Sequence, residues 1–378
     1  MRVKNDHSLS EEFGQQCVRD GNKLNKSTIY YHTQSFKEIG LIETIRNEQL
    51  KHATIFLQSE IVKKHYADFP QYNTLLQLAE EGATICTPPN FRCNNGQGAS
   101  VRPVCDLVPS AIHARLSQEQ LIGDSIIVPQ QVLKDAASAA GLEFHVSELS
   151  WVFKPGDAKS NLLGRLVDDY TNSAGGGING DDTMAAIVQM YGDVSNPQLL
   201  DLCQAYLASI DPQGQDPVTI ATEDVGRAYR RVKVRPKDCL LLVLNLPPID
   251  GFPPLYSIGL SGRFGYCGAG HIWAVAARAL QWRFDLECSA ILSTARGKIY
   301  VDDLTFFPRA SQAPRLISFW AGICNELCGV NARQEEKAHV GPVTPSIGWV
   351  FSQPDDRVYV SEKGFLSLVA CFFDLFPL

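Results

Sequence analysis

The sequence has no excess of basic residues, no apolar run long enough to cross a bilayer and no internal repeat. Each absence removes a class of protein. With 34 Lys and Arg against 41 Asp and Glu, a net charge of −7, the whole molecule is not a basic nucleic-acid coat, although a local basic groove would suffice for binding. The longest apolar run, Phe365–Phe373, is too short for a membrane span and reads as buried core, so no membrane partner is expected. Met1–Ser10 is polar and charged rather than a signal peptide, and the 11 cysteines are scattered. Both point to an intracellular, reduced protein of the cytoplasm or nucleus. Cys86, Cys93, Cys105 and His113 lack the Cys-x₂₋₄-Cys knuckles of structural zinc modules and read as loop and core residues. Gly175-Gly176-Gly177 lacks the Gly-Lys-Ser/Thr ending of a phosphate loop and reads as a flexible connection.

What is present suffices for two or three domains: 378 residues, 45% of them apolar. Residues 1–65 carry ten Lys/Arg against eight Asp/Glu and are the slightly basic part. Glu11–Asp20 reads as a helix, and Asn25 or Ser27 caps a second helix that runs to Ile39 and stops at Gly40. Leu41–Arg46 and Ala53–Leu57 read as two short strands around a polar tip. Residues 66–110, with Pro88-Pro89, Asn94-Asn95-Gly96 and Pro103, read as a loop-rich linker. Beyond it the pattern predicts a helix over Ser110–Glu119, a strand over Ser125–Pro129 and a helix over Gln130–Ala140.

The order helix, turn, helix, hairpin in residues 9–60, and the stretch from Asn25 to Asn47 in particular, resembles a winged helix. That resemblance implies a small winged-helix-like domain over 1–65. Its second helix would enter the major groove and its wing would touch backbone, giving a duplex-DNA contact by residues 9–60.

Chemistry concentrates further on. Lys298–Phe307 sets Asp302-Asp303 at the turn between two β-prone runs. Three other Asp-Asp pairs exist, at 168, 181 and 355; the strand-turn-strand setting together with what lies upstream separates Asp302-Asp303 from them. Carboxylate oxygens suit Mg²⁺, and two such ions catalyse in-line phosphoryl displacement. A third carboxylate is expected from another element, and Asp224 follows a predicted strand at Val218–Ala221.

Tyr300-Val301-Asp302-Asp303, and Asp224 with Tyr229 five residues on, resemble the metal-binding motifs of reverse transcriptases. The resemblance covers roughly residues 110–365 and is closest to the retrotransposon type. It implies that Asp224 and Asp302 bind two Mg²⁺ ions, for which Mn²⁺ can substitute, and that Asp303 supports them. Tyr229 is then the aromatic beneath the incoming sugar that excludes a 2′-hydroxyl. Leu260–Trp273 is similar to the family's Gly-rich turn that approaches the template base, here at Gly265, with Gly270 for the usual Pro and Trp273 for the usual Phe. Trp151–Pro155 and Gly164–Tyr170 look like the fingers hairpin, with Lys154 and Arg165 on the triphosphate. Lys337, or Arg333, matches the lysine that protonates leaving pyrophosphate. Ser346–Phe351 and Val358–Val360 resemble the hairpin that grips the primer.

The expected fold is therefore α+β: a right-hand polymerase palm and fingers over 111–378, an antiparallel sheet backed by helices, with the thumb truncated or absent. The expected function is template-directed addition of dNTPs to a primer on RNA or DNA. The alternative is a catalytically weak remnant of an element that acts as a nucleic-acid-binding module.

Overall fold

The computed structural model describes residues 24–98, 102, 105, 109–153, 164–171, 176–248, 251–291, 293–346, 349–352 and 357–360. It is a mixed α+β structure with several sheets backed by helices. Among the described residues no helix is long and apolar enough to cross a membrane. The chain divides into two compact units. The first takes Met1–Ser59, Leu76–Asp193 and Tyr229–Trp273; the second takes Glu60–Leu75, Val194–Ala228 and Ala274–Leu378.

The first described element of the first unit is helix α1, Lys26–Glu38, whose N-cap Asn25 accepts a hydrogen bond from the Ser27 amide. Gly40, at φ 87°, stops it. The helix expected over Glu11–Asp20 lies outside the described residues. The wing expected next does not form. Leu41–Lys51 is a second helix, α2, and Ala53–Ile55 is a 3₁₀ turn. The reason is legible afterwards: Leu41, Thr44, Ile45, Glu48 and Gln49 are the buried residues, a spacing that fits a helix and not a strand. The buried Gln49 amide donates to the Val234 and Leu260 carbonyls at 2.6 and 2.9 Å, fixing the helix face. The linker expected over 66–110 is also partly structured. After α3 (Ser59–His65), which lies almost wholly in the second unit, Tyr72–Glu80 forms helix α4 at the division between the units, with Leu75, Leu78 and Ala79 buried at helical spacing.

Helix α5 (Pro109–Leu121), strand β1 (Ser125–Pro129) and helix α6 (Gln130–Ala139) fall where the sequence pattern puts them. β1 edges a five-stranded sheet in the order β1-β6-β5-β2-β3, with β2 at Val146–Phe153, β3 at Gly164–Asp169, β5 at Val243–Asn245 and β6 at Leu255–Gly259. β2 and β3 form an antiparallel hairpin in which Val152 faces Arg165. Cys105 is buried and its thiol donates to the Leu149 carbonyl, and Cys86 is buried too.

The second unit is built on a four-stranded sheet in the order β7-β8-β4-β9. Its strands are β4 (Ile220–Asp224), β7 (Lys298–Tyr300), β8 (Asp303–Phe306) and β9 (His339–Gly341). Helix α9, Ala269–Ala290, and helix α10, Ala313–Cys328, supply the packing against it; α8 (Leu199–Ser209) precedes them in this unit, whereas α7 (Asp181–Tyr191) belongs to the first. Phe284 of α9 meets Phe306 of β8 edge-on at 4.9 Å and Trp320 of α10 at 6.0 Å. All three rings are fully buried, and burying one such side chain contributes about 2–3 kcal/mol. A second cluster joins Leu202 and Ala205 to Val218, Ile220, Phe307 and Phe351. The primer-grip-like segment forms strands: β10 (Val343–Ser346), β11 (Trp349–Ser352) and β12 (Arg357–Val360) pair antiparallel as a separate sheet.

Candidate active site

The register of the four-stranded sheet decides what surrounds Asp224. β4 and β8 run antiparallel with Thr222 opposite Thr305, which brings Asp224 directly opposite Asp303. β4 and β9 run antiparallel with Thr222 opposite His339. Continued by two residues, that register sets Lys337 against Asp224 from the other side. The pairing stays tight past the strand ends: Val225 N–H donates to the Asp302 carbonyl at 2.9 Å, and Gln334 N–H donates to the Asp224 carbonyl at 3.1 Å. The β7–β8 turn carries Val301 at φ 58°, a left-handed conformation that a β-branched residue adopts only at a cost.

Three carboxylates thus converge at one sheet end. Asp224 is 5% exposed, and its Oδ1 has no hydrogen-bond partner among the described residues. Its Oδ2 is paired with Lys337 Nζ at 3.1 Å. Burial, the Asp302 and Asp224 charges, and a hydrogen bond that its protonated form gives Asp224 push the Asp303 carboxyl up to about 7, against the pull of Lys337. The site is short of positive charge, and a proton or a cation relieves it. Yet among the described residues no group of three or more His, Cys, Asp or Glu is assembled so as to hold a metal ion. The donor chemistry fits a hard divalent cation, while the side-chain grouping as it stands does not yet do so.

Arg333, the other basic candidate, is engaged elsewhere. Its Nε and NH2 donate to Glu223 Oε2 and Oε1 at 2.7 and 3.0 Å, a two-pronged pair in which Glu223 is 1% exposed. Burial pushes Glu223 up, and Arg333 opposes it. Arg333 therefore secures β4 from behind, while Lys337 is the cation at Asp224.

The remaining sequence-predicted residues belong to the first unit. Lys154 lies outside the described residues. Arg165 stands in β3, one residue beyond its start. Tyr229 sits on the 3₁₀ turn Ala228–Arg231 with its ring 5.3 Å from that of Phe264, which is 54% exposed. Gly265 has φ 106°, and a Cβ there would lie 1.9 Å from the Asp168 carbonyl oxygen, so no other residue fits. Asn179 pins this turn from the side chain: its amide donates to the Gly265 carbonyl at 2.7 Å and its Oδ1 accepts from Cys267 N–H at 2.9 Å.

Sequence reading missed the buried ion cluster below that turn. Glu119, 1% exposed, accepts from Arg230 NH2 on Oε1 and from Arg263 NH1 on Oε2, each at 2.8 Å. Arg263 is fully buried and lies 3.7 Å from Asp168 Oδ2, which also accepts from the Tyr170 hydroxyl at 3.3 Å. Burial works to raise Glu119, but Arg230, Arg263 and Arg115 together hold it down at about 2. Burial does raise Asp168, with Arg263 opposing. The signal in the sequence was two arginines near predicted site residues, Arg230 beside Tyr229 and Arg263 two residues before Gly265.

No protein-family description matches the chain. No curated protein matches it either. Among solved structures, a foamy viral protease-reverse transcriptase in complex with ds DNA is similar, with a TM-score of 0.43 and 10% identity over 80% of this chain and 46% of that one. The chain spans about half the length of that structure. At that score and identity the likeness is slight.

Proposed function

We propose that the chain is a metal-dependent nucleotidyltransferase of the reverse-transcriptase type, adding dNTPs to a primer 3′-hydroxyl on an RNA or DNA template. One observation carries this reading: Asp224 and the Asp302-Asp303 turn, 78 residues apart in the sequence, meet at one sheet end, where their crowding pushes Asp303 up despite Lys337. Structural carboxylates at a strand end are normally paired or solvated, so a cluster that raises one of its own members to about 7 is a functional-site signature. Asp224, Asp302 and Asp303 would hold the divalent cations, with Asp224 and Asp302 as ligands and Asp303 in support. When bound, those ions supply activation of the primer hydroxyl and neutralisation of triphosphate charge.

The protein's own groups do the rest in this reading. Lys337, paired with Asp224 at 3.1 Å, would be the group that gives a proton to departing pyrophosphate. Arg165 and Lys154 grip the triphosphate, Arg165 with its planar fork and Lys154 as a point charge. Tyr229 offers a flat ring to the sugar, so a 2′-hydroxyl has no room. Gly265 lets backbone approach the templating base.

The test is primer extension with Mg²⁺ and dNTPs on matched RNA and DNA templates. Wild type extends the primer and Asp302→Asn abolishes extension; equal activity in the two proteins sinks the assignment. A second reading, a catalytically silent nucleic-acid-binding module, is favoured by the Lys337–Asp224 ion pair and by the unassembled ligand set. Calorimetric titration with Mn²⁺ separates the two, since a silent module takes up no metal at this site.

A further inference from the structure

The backbone segments that carry Tyr229 and the Phe264-Gly265 turn are stitched together only part of the way. Val234 N–H donates to the Leu260 carbonyl at 3.0 Å, and Gly262 N–H donates to the Val232 carbonyl at 2.9 Å. Lys233 and Ser261 form the bridge between them. At Gly262 the two backbones approach so closely that a Cβ would lie 2.5 Å from the Tyr229 carbonyl oxygen. Past that point the tie passes to side chains. Arg230 and Arg263, each adjacent to one of the two facing rings, both end on Glu119, one on each carboxylate oxygen. Glu119 comes from α5, an element that carries neither ring.

We propose that Glu119 is a positioning residue that sets sugar selection: by holding Arg230 and Arg263 in one carboxylate fork, it fixes Tyr229 against Phe264. This rests on the functional reading above and extends it to a residue with no contact to nucleotide. The physical argument is one of register. A ring excludes a 2′-hydroxyl only if it is held to within a fraction of an ångström, and an aromatic on a short 3₁₀ turn has little rigidity of its own. The fork supplies it. Each guanidinium gives the carboxylate one charge-assisted N–H at 2.8 Å, and the carboxylate is 1% exposed, so water has little access to its oxygens. Arg263 is further wedged in place: its Nε lies 2.4 Å from where a Cβ on Gly259 would stand, so its packing depends on that glycine of β6. The NH1 that meets Glu119 also lies 3.7 Å from Oδ2 of Asp168, whose backbone carbonyl is the atom that forbids a side chain at Gly265. One carboxylate thus organises both the aromatic pair and the Gly265 turn.

The experiment measures single-nucleotide addition with dNTP and with the matching rNTP, taking the ratio of kcat/KM for the two sugars. Wild type, Glu119→Gln, Arg230→Gln, Tyr229→Ala and the double variant Glu119→Gln/Tyr229→Ala are compared, with Arg46→Gln, an exposed cation paired with Glu43 on α2, as the control. Arg230→Gln opens one arm of the fork from its partly exposed side and so keeps the test available if Glu119→Gln does not fold. The expected result is a fall of about tenfold in dNTP preference for Glu119→Gln or Arg230→Gln, with dNTP kcat changed less than the ratio. In the Tyr229→Ala background Glu119→Gln has no further effect on the ratio, because the ring it positions is gone. A purely structural role lowers both sugars alike and leaves the ratio unchanged. A folded Glu119→Gln with the wild-type ratio, or a loss that adds to that of Tyr229→Ala, overturns the proposal. A wild type that adds neither nucleotide is a different failure: it removes the functional reading itself, and the sugar-selection role falls with it.

Discussion

Asp303→Asn replaces one of three crowded carboxylates with a neutral isostere, and its effect on stability follows from the charge at the sheet end. In the folded protein the Asp303 carboxyl is pushed from 3.8 up to about 7 by burial, Asp302 and Asp224. The native state therefore keeps a proton that the unfolded chain releases near pH 4, and wild type loses stability as pH rises from about 4 through 7. At pH 8 the ceiling on that loss is about 4 kcal/mol, from about 1.4 kcal/mol for each tenfold change in proton affinity. Water reaches this half-buried group and Lys337 shares in the response, so about 1–2 kcal/mol is the expected size. Urea unfolding in EDTA at pH 8 should show Asp303→Asn more stable than wild type by that amount. The difference should narrow as pH falls and vanish only at about pH 3.5, where the unfolded chain also holds most of the proton. Mg²⁺ added at pH 8 should stabilise wild type, by about 2.7 kcal/mol at one hundred times its dissociation constant, and close the gap. A gain of equal size at both pH values, or none at pH 8, refutes the idea that these carboxylates repel one another.

Three further outcomes follow from the packing. Gly265→Ala drives a methyl into the Asp168 carbonyl from a left-handed backbone and should cost at least about 2 kcal/mol, read as a shift in the denaturant midpoint. Arg333→Ala strands Glu223 as a buried charge and should cost about 3 kcal/mol, most of which the double variant Arg333→Met/Glu223→Gln recovers. Val301→Asn puts a residue tolerant of the left-handed region at φ 58° and should add about 1 kcal/mol; a loss of stability would show that the turn is not strained as described.

The second unit was readable in the sequence because its signals are local. Lys298–Phe306 carries β-prone runs on both sides of an Asp-Asp turn, and β7 and β8 form there. Spacing located Asp224 on a strand end, but the opposition of Asp224 to Asp303 and to Lys337 needed the sheet register, which no short stretch specifies. The division of labour between Arg333 and Lys337 was open for the same reason. The N-terminal wing failed because Leu41–Lys51 is rich in residues that suit either state, and the deciding contact is a buried amide reaching carbonyls nearly two hundred residues away. Glu119 was invisible because a lone acid on a predicted helix reads as a solvated face, and only the arrival of Arg230 and Arg263 makes it otherwise.

The most direct measurement is templated single-nucleotide addition with Mg²⁺, in which the four templating bases are offered in turn to wild type and to Asp302→Asn. Wild type should add only the complementary dNTP at each template, and Asp302→Asn should add none. Addition that ignores the template, or that survives loss of the Asp302 carboxylate, contradicts the account.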